Sequence, residues 1–323
     1  MIIIQLAGGL GNQMFQYALY LQLKSLGKDV KIDDVAGFAQ DIKRAPALKP
    51  FGIDYERPTK KELIQMLDSS PFIWHKVRRK LFGRNKKAYF EEDKHYRPEI
   101  MTWDDIYLEG YWQTEKYFAP VADEVRKVFD TDKLLKYIRD NSPSSSVTKS
   151  ATHTGQANSG QMALADWLTR ITSTESVGVH IRRGDYLLPE NQQLFGGICT
   201  ENYYRNAMEQ IKRERPNCRF YLFTNDKEWI RQQLDAQTEE DTKDTDKVSI
   251  NNIEVVDLGE QNDYAEFVLM SKCKHNILAN SSFSWWASYL NRNTNKTVLV
   301  PDRWLNGWDC EDFYREDMRK VEA

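Results

Sequence analysis

Apolar and polar positions follow two periods along this chain, and the two alternate. IIIQLA (Ile2 to Ala7) is a nearly unbroken apolar run closed by glycines, the pattern of a strand covered on both faces of a parallel sheet. After GGLG, the residues Met14, Tyr17, Ala18 and Leu21 recur at helical spacing. This predicts a helix capped by Asn12 and running to Leu26, with Gly27 as its stop. DVKIDD (Asp29 to Asp34) then reads as a second strand, so the chain opens with a βαβ unit. Pro58 to Lys87 looks helical and basic near its end, and IYLEGYWQTEKYF (Ile106 to Phe118) reads as a strand running into a helix. In the second half the runs at Val177, Arg219, Asn252, His275 and Thr297 are strands. Helical patterns from Thr200, Asp226, Asp263 and Ser282 separate them. This alternation predicts a doubly wound α/β domain.

Between the halves, Asn141 to Gly160 holds almost no large apolar residue and reads as a linker or mobile loop. The organisation is therefore read as an N-terminal domain over residues 1–140, a Ser/Thr-rich connection over 141–174 and a C-terminal domain over 175–323. A length of 323 residues suits two domains. Charge narrows the function: 45 basic against 48 acidic residues leave no basic field of the kind that nucleic-acid binding needs. The four cysteines, Cys199, Cys218, Cys273 and Cys310, match no metal or disulfide spacing and fit a reducing, cytoplasmic setting. No apolar run approaches a membrane span, and the start lacks a basic leader and cleavage pattern, so a signal peptide is not expected.

Candidate chemistry falls at strand ends, where open parallel sheets bind their ligands. HIRRGDY (His180 to Tyr186) ends one strand, FTND (Phe223 to Asp226) the next, and NSSFSWW (Asn280 to Trp286) leads from a third into a helix. Arg182 and Arg183 bring charge and the fork geometry that suits phosphate. The N–H groups at the helix start, with the hydroxyls of Ser281 and Ser282, form an anion seat. Together they suggest a diphosphate clamp. Each motif also has a structural reading. Strand alternation would put His180 and Arg182 on one face and Arg183 on the other, where it could serve a structural ion pair with Asp185 or another carboxylate. His180 could be a satisfied strand histidine, and Asn225 and Asp226 a helix cap. GGLGNQ lacks the glycine spacing of a dinucleotide loop and the G-K-[ST] of a phosphate loop. Its glycines, Gly9 among them, still allow a ligand close to the backbone, with the amides of Asn12 and Gln13 directed at it; the alternative is a tight turn. The seven basic residues from Lys76 to Lys87 read as a solvated face. Alternatively they dock on anionic lipid, with Trp74, Leu81 and Phe82 touching the interface.

Taken in order, GGLGNQMFQYA, LEGYWQTEKYF, HIRRGDY, YLFTND and NSSFSWWASYLN resemble the α-1,2-fucosyltransferase family, glycosyltransferase family eleven, in its bacterial form. The resemblance spans about residues 1–118 and 177–304. It implies a GT-B-like fold, two Rossmann-like domains facing across a cleft. The C-terminal domain would hold GDP-L-fucose, and the N-terminal domain would shape the side of a terminal galactoside acceptor, free or lipid-linked. It implies inversion at the fucose anomeric carbon with neither a metal nor a cofactor, and no D-x-D metal motif stands at a strand end. By the same resemblance Arg182 would bind the β-phosphate, supported by Arg183 and His180. Asp185 would orient the arginines or the guanosine. Asn225 and Asp226 would lie near the nucleotide, and Asn280, Ser281, Ser282 and Phe283 would line the diphosphate and base pocket. Asn12, with Gly9 and Gln13 beside it, would reach the fucose or the acceptor. The Ser/Thr-rich stretch departs from the family pattern. The setting implied is cytoplasmic, with peripheral contact at the inner membrane face through the basic stretch. The rival readings are another GT-B nucleotide-sugar transferase and a non-catalytic sugar- or nucleotide-binding protein.

Overall fold

The computed structural model describes residues 1–70, 72–83, 86–141, 163–237, 250–259 and 262–322. The chain divides into two compact units. The first comprises Met1–Phe129 and Trp308–Arg315, the second Asp130–Gly307 and Glu316–Ala323. The α/β class and the expectation of two Rossmann-like units hold.

The first unit contains β1 (Ile2–Gln5), α1 (Leu10–Ser25), β2 (Val30–Asp33), α2 (Lys60–Leu67), α3 (Ile73–Phe82), β3 (Ala88–Phe90), β4 (Ile106–Glu109) and α4 (Ala122–Val128). Its sheet runs β2-β1-β4-β3, all parallel, with Ile2 opposite both Val30 and Ile106. The isoleucines of β1 are fully buried because strands flank them on both sides and α1 and α2 cover the sheet. The helix predicted after GGLG is present, but it starts at Leu10 with Gly9 as its N-cap, not Asn12. It is buried nearly all round from Gly11 to Leu23, not along one stripe.

The second unit contains α5 (Thr131–Asn141), α6 (Leu164–Ser173), β5 (Glu175–Ile181), α7 (Pro189–Phe195), α8 (Glu201–Glu214), β6 (Cys218–Thr224), α9 (Lys227–Gln237), β7 (Ile253–Val255), α10 (Asp263–Lys272), β8 (His275–Ile277), α11 (Ser282–Tyr289), β9 (Val298–Pro301) and β10 (Met318–Val321). Its six parallel strands lie in the order β10-β9-β8-β5-β6-β7. Counted within the unit this is the doubly wound order 3-2-1-4-5-6. Val177, Val179 and Ile181 of β5 pack with Tyr203, Ala207 and Ile211 of α8 on one face. On the other face Phe283 of α11 meets Phe267 of α10 edge-on at 5.3 Å.

Two expectations about organisation change. The division falls at Phe129, not at residue 140, because α5 buries Leu134 and Ile138 and packs on α10. Lys272 pairs with Asp132, and Arg292 pairs with Asp130 at 3.4 Å. Within the stretch read as a connection, α6 is a helix that buries Trp167 and Ile171. The Ser/Thr-rich segment itself, residues 142–162, lies outside the described residues. The C-terminal return, Trp308–Arg315, belongs to the first unit, where Asp312 accepts from the Tyr96 N–H at 2.6 Å and pairs with Lys116.

Candidate active site

In a doubly wound sheet the crevice for ligands opens where the strand order reverses. In the second unit that point lies between β5 and β8, the neighbours at which the chain turns from one half of the sheet to the other. HIRRGDY leaves the carboxyl end of β5, and the Asn280 segment leaves β8 and enters α11. HIRRGDY and NSSFSWW therefore sit at the position where such a sheet binds its ligand.

Beyond Ile181 the strand ends, and its alternation of faces ends with it. Ile181, Arg182 and Arg183 border one cavity of about 410 Å³. Gly197, Cys199, Thr200, Tyr204 and Trp229 complete much of its wall. The expectation that the two arginines face apart is thereby corrected: they leave the sheet plane in a turn and line the same space. Gly184 makes the turn at φ +26°, and a β-carbon there would collide with Asn225 Nδ2.

Arg183 is held on three sides. Its backbone N–H donates to Asn225 Oδ1 at 3.1 Å, and its Nε to Asp226 Oδ2 at 3.4 Å. Its guanidinium lies 3.6 Å over the Trp229 ring. Asp226 also accepts from the Trp229 N–H at 3.2 Å and so starts α9. The cap reading and the ion-pair reading are both realised, with Asp226 as the carboxylate. Arg182 stands at the cavity wall with its guanidinium 5.7 Å from the Tyr186 ring. Tyr186 in turn donates its hydroxyl to the Asn280 carbonyl at 2.9 Å, tying the turn to the segment after β8. Asp185 lies in the same turn, Gly184–Leu187; its side chain is outside the described residues.

The second strand end is built mainly as structure. Asn280 is buried, donates to the Trp304 carbonyl at 3.1 Å and accepts from Cys199 Sγ at 3.4 Å. The Ser281 side chain accepts from the Phe283 N–H at 3.3 Å, so part of the expected anion seat at α11 is taken by its own cap. Ser282 opens α11, and Phe283 packs against the His180 ring at 5.5 Å. His180 is buried, and its Nδ1 finds no hydrogen-bond partner among the described residues. Burial, with the Arg182 charge beside it, pushes its pKa down to about 3. His180 is thus a neutral ring packed against Phe283. The Cys199 thiol is pushed up to about 12 by burial, so it stays protonated and is no nucleophile.

Gly9, Asn12 and Gln13 belong to the first unit and gather at its own switch point, between β1 and β4. Gln113, just after β4, donates to Asn12 Oδ1 at 2.6 Å across that point. Gly8 (φ +76°) permits this, since a β-carbon there would come within 2.6 Å of Asn12 Nδ2. Gln13 is turned to the protein's own backbone. It is fully buried, donates to the carbonyls of Gly8 (2.8 Å) and Ala45 (3.0 Å), and accepts from the Ala47 N–H (2.7 Å). It staples a loop to the turn, with both amide N–H groups and one lone pair of Oε1 engaged. Three residues escaped the sequence reading: Trp229, Tyr204 and Glu91. Trp229 follows Asp226 by three positions, the spacing that places it beside a cap. Glu91 is buried and accepts from the N–H groups of Tyr111 (3.0 Å) and Trp112 (3.1 Å), fixing the turn after β4; nothing local marks it.

Residues 154–318 match the model of the family described as Glycosyl transferase family 11. Over nearly its whole length the chain is similar to an alpha-1,2-colitosyltransferase of Escherichia coli, at 28% identity across 97% of this chain and 95% of that protein. It is also similar to the O-antigen biosynthesis glycosyltransferase WbnK of Escherichia coli, at 27% identity across 94% of each. A shorter match, 31% identical, joins 35% of this chain to 28% of galactoside alpha-(1,2)-fucosyltransferase 1 of Saimiri boliviensis boliviensis. Among solved structures, the ADP-heptose lps heptosyltransferase II of E. coli aligns with a TM-score of 0.44 at 12% identity, covering 99% of this chain and 89% of that one. POFUT1 in complex with GDP-fucose aligns with a TM-score of 0.39 at 12% identity, covering 94% and 98%.

Proposed function

The chain belongs to glycosyl transferase family 11, and from that premise we propose that it moves L-fucose from GDP-L-fucose to the 2-hydroxyl of a terminal galactoside, with inversion and without a metal ion. The observation that carries this reading is the arginine pair at the switch point of the second unit, bordering a cavity of about 410 Å³. In a single displacement the acceptor oxygen attacks the fucose anomeric carbon while its bond to the β-phosphate oxygen breaks. GDP leaves with that electron pair, and the acceptor proton passes to a base. Negative charge therefore grows on the β-phosphate in the transition state. Cations and N–H groups already in place there accelerate the reaction because nothing has to reorganise. Arg182 is the residue assigned to that charge. Arg183, braced by Asp226 and Trp229, holds the turn that carries it.

Incubation with GDP-fucose and a panel of galactosides, with linkage analysis of the product, tests the reading. An α-1,2-fucosylated product with GDP released in equal amount is expected. Binding of nucleotide with no release on adding any acceptor would mean a non-catalytic binder. A second reading concerns the donor. One relative that matches this chain almost end to end is named a colitosyltransferase, and colitose is fucose without its 3-hydroxyl. Direct competition between GDP-fucose and GDP-colitose, read by product mass, decides which sugar is transferred faster.

A further inference from the structure

Helix α3 in the first unit departs from the ordinary behaviour of a surface helix. Surface helices turn an apolar stripe inward and show water their polar face. In α3 the described apolar side chains are exposed: Trp74 is 81% accessible, Ile73 and Leu81 69% each, Val77 46%, and Phe72 just before the helix 70%. No described side chain of α3 is buried. By contrast the preceding α2 buries Met66 against Ile3 and Tyr107. At about 100° per residue, Ile73, Val77, Leu81 and Trp74 fall within one arc of about 100°. Lys80 and Lys76 flank one edge of that arc and are exposed, as is Lys86 beyond the helix. The other edge is fixed by Arg78, which pairs with Asp68 at the end of α2 and so holds the helix to the unit while its apolar arc stays outward.

We propose that α3 is an interfacial anchor that lies on an anionic lipid bilayer, with Trp74, Ile73 and Leu81 entering the headgroup boundary and Lys76, Lys80 and Lys86 reaching lipid phosphates. Charge complementarity selects this occupant. A net charge of −3 gives the chain as a whole no attraction to an anionic surface, so binding must come from a local cationic rim. An apolar arc with an indole at its edge and lysines beside it suits a boundary that is oily below and anionic above. Lysine stems can lie along the apolar surface while their ammonium groups reach outward.

The test is flotation of the full chain with vesicles of phosphatidylcholine alone and of phosphatidylcholine with an equal part of phosphatidylglycerol. Partition onto the anionic vesicles, weak partition onto the neutral ones, and loss of binding as salt rises are expected. Lys76→Ser with Lys80→Ser should lower the anionic partition about thirtyfold, from roughly fivefold for each lysine. Trp74→Ser with Leu81→Ser should also release the protein, with thermal unfolding unchanged because neither residue packs against the unit. Trp74→Phe supplies a readout independent of affinity. It should still bind, but a brominated lipid that quenches the wild-type fluorescence should quench this variant far less. Equal binding to both vesicle types, or unchanged binding of the lysine variant, overturns the proposal. So does a concentration-dependent dimer, abolished by Trp74→Ser, in a protein that ignores both vesicles; the arc would then serve a second copy of the chain.

Discussion

Replacing each arginine of the pair by lysine separates their assigned roles. Lysine keeps the charge and loses the planar fork. At Arg183 the fork makes one long ion pair to Asp226, both side chains about a third exposed or less, and one close stack on Trp229. The partly exposed pair contributes about 0.5 kcal/mol after solvent screening, and the stack about 1 kcal/mol. The backbone bond to Asn225 survives the substitution. Arg183→Lys should therefore cost about 1–1.5 kcal/mol, a fall of about 2–6 °C in Tm for a domain of this size. At Arg182 the fork is assigned to the growing charge of the leaving group. Its loss should lower kcat about a hundredfold, with a smaller change in the affinity for donor. The assay is steady-state kinetics in GDP-fucose beside thermal unfolding for both variants. A well-folded Arg182→Lys protein with near-normal kcat would refute the assignment. Arg183→Lys as the more damaging change to turnover would show that the roles are exchanged.

Gln13→Ala strands two carbonyls and one N–H that Gln13 now satisfies, so the first unit should lose about 3 kcal/mol in urea unfolding; a loss below about 1 kcal/mol would show that the staple is dispensable. His180 has a folded pKa of about 3 against an unfolded value of about 6.5, so the unfolded chain takes up the proton first and the stability it contributes is lost as pH falls below about 6.5. Between pH 7 and pH 5 this amounts to about 2 kcal/mol, which His180→Gln should abolish; parallel pH profiles for the two proteins would disprove it. Activity should survive excess EDTA, and complete loss restored by one divalent ion would refute the metal-free reading.

The elements that were legible in the sequence are those whose signal is local and strong. β1, β5, β6, β8 and β9 lie at the centre of their sheets and read as apolar runs because strands flank each of them. What failed lies at edges or depends on distant partners. β10, MRKV, exposes its Arg319 and Lys320 at the sheet margin, and charged edge strands do not look like strands. β3 has three residues and pairs only with β4 among the described strands. The domain boundary lies earlier than the sequence suggests because α5 is amphipathic in either unit; its packing on α10 and the ion pairs of Asp130 and Asp132 place it in the second. Asn12 and Gln13 are adjacent amides in one motif, and their opposite fates rest on the carbonyls of Gly8 and Ala45 and the N–H of Ala47. Sequence spacing cannot distinguish them.

For the candidate site, the structural and the functional readings turned out not to compete. Asp226 is a helix cap, as its plainer reading had it; Asn280 is a buried knot, Ser281 a cap, and His180 a neutral packed ring whose Nδ1 has no partner among the described residues, not a satisfied strand histidine. Yet all stand around the turn that carries Arg182 from β5, at or next to the point where the strand order reverses. A group that stabilises developing charge is effective only if its position is fixed before the charge appears. Here the turn is held from β6 through Asn225, Asp226 and Trp229, and from β8 through the Tyr186–Asn280 bond. The same rule applies within the first unit, where Gln113 and Gly8 fix Asn12 at the reversal between β1 and β4. The ordinary roles of these residues are thus the means by which one arginine in the second unit, and one amide in the first, are held still at a switch point.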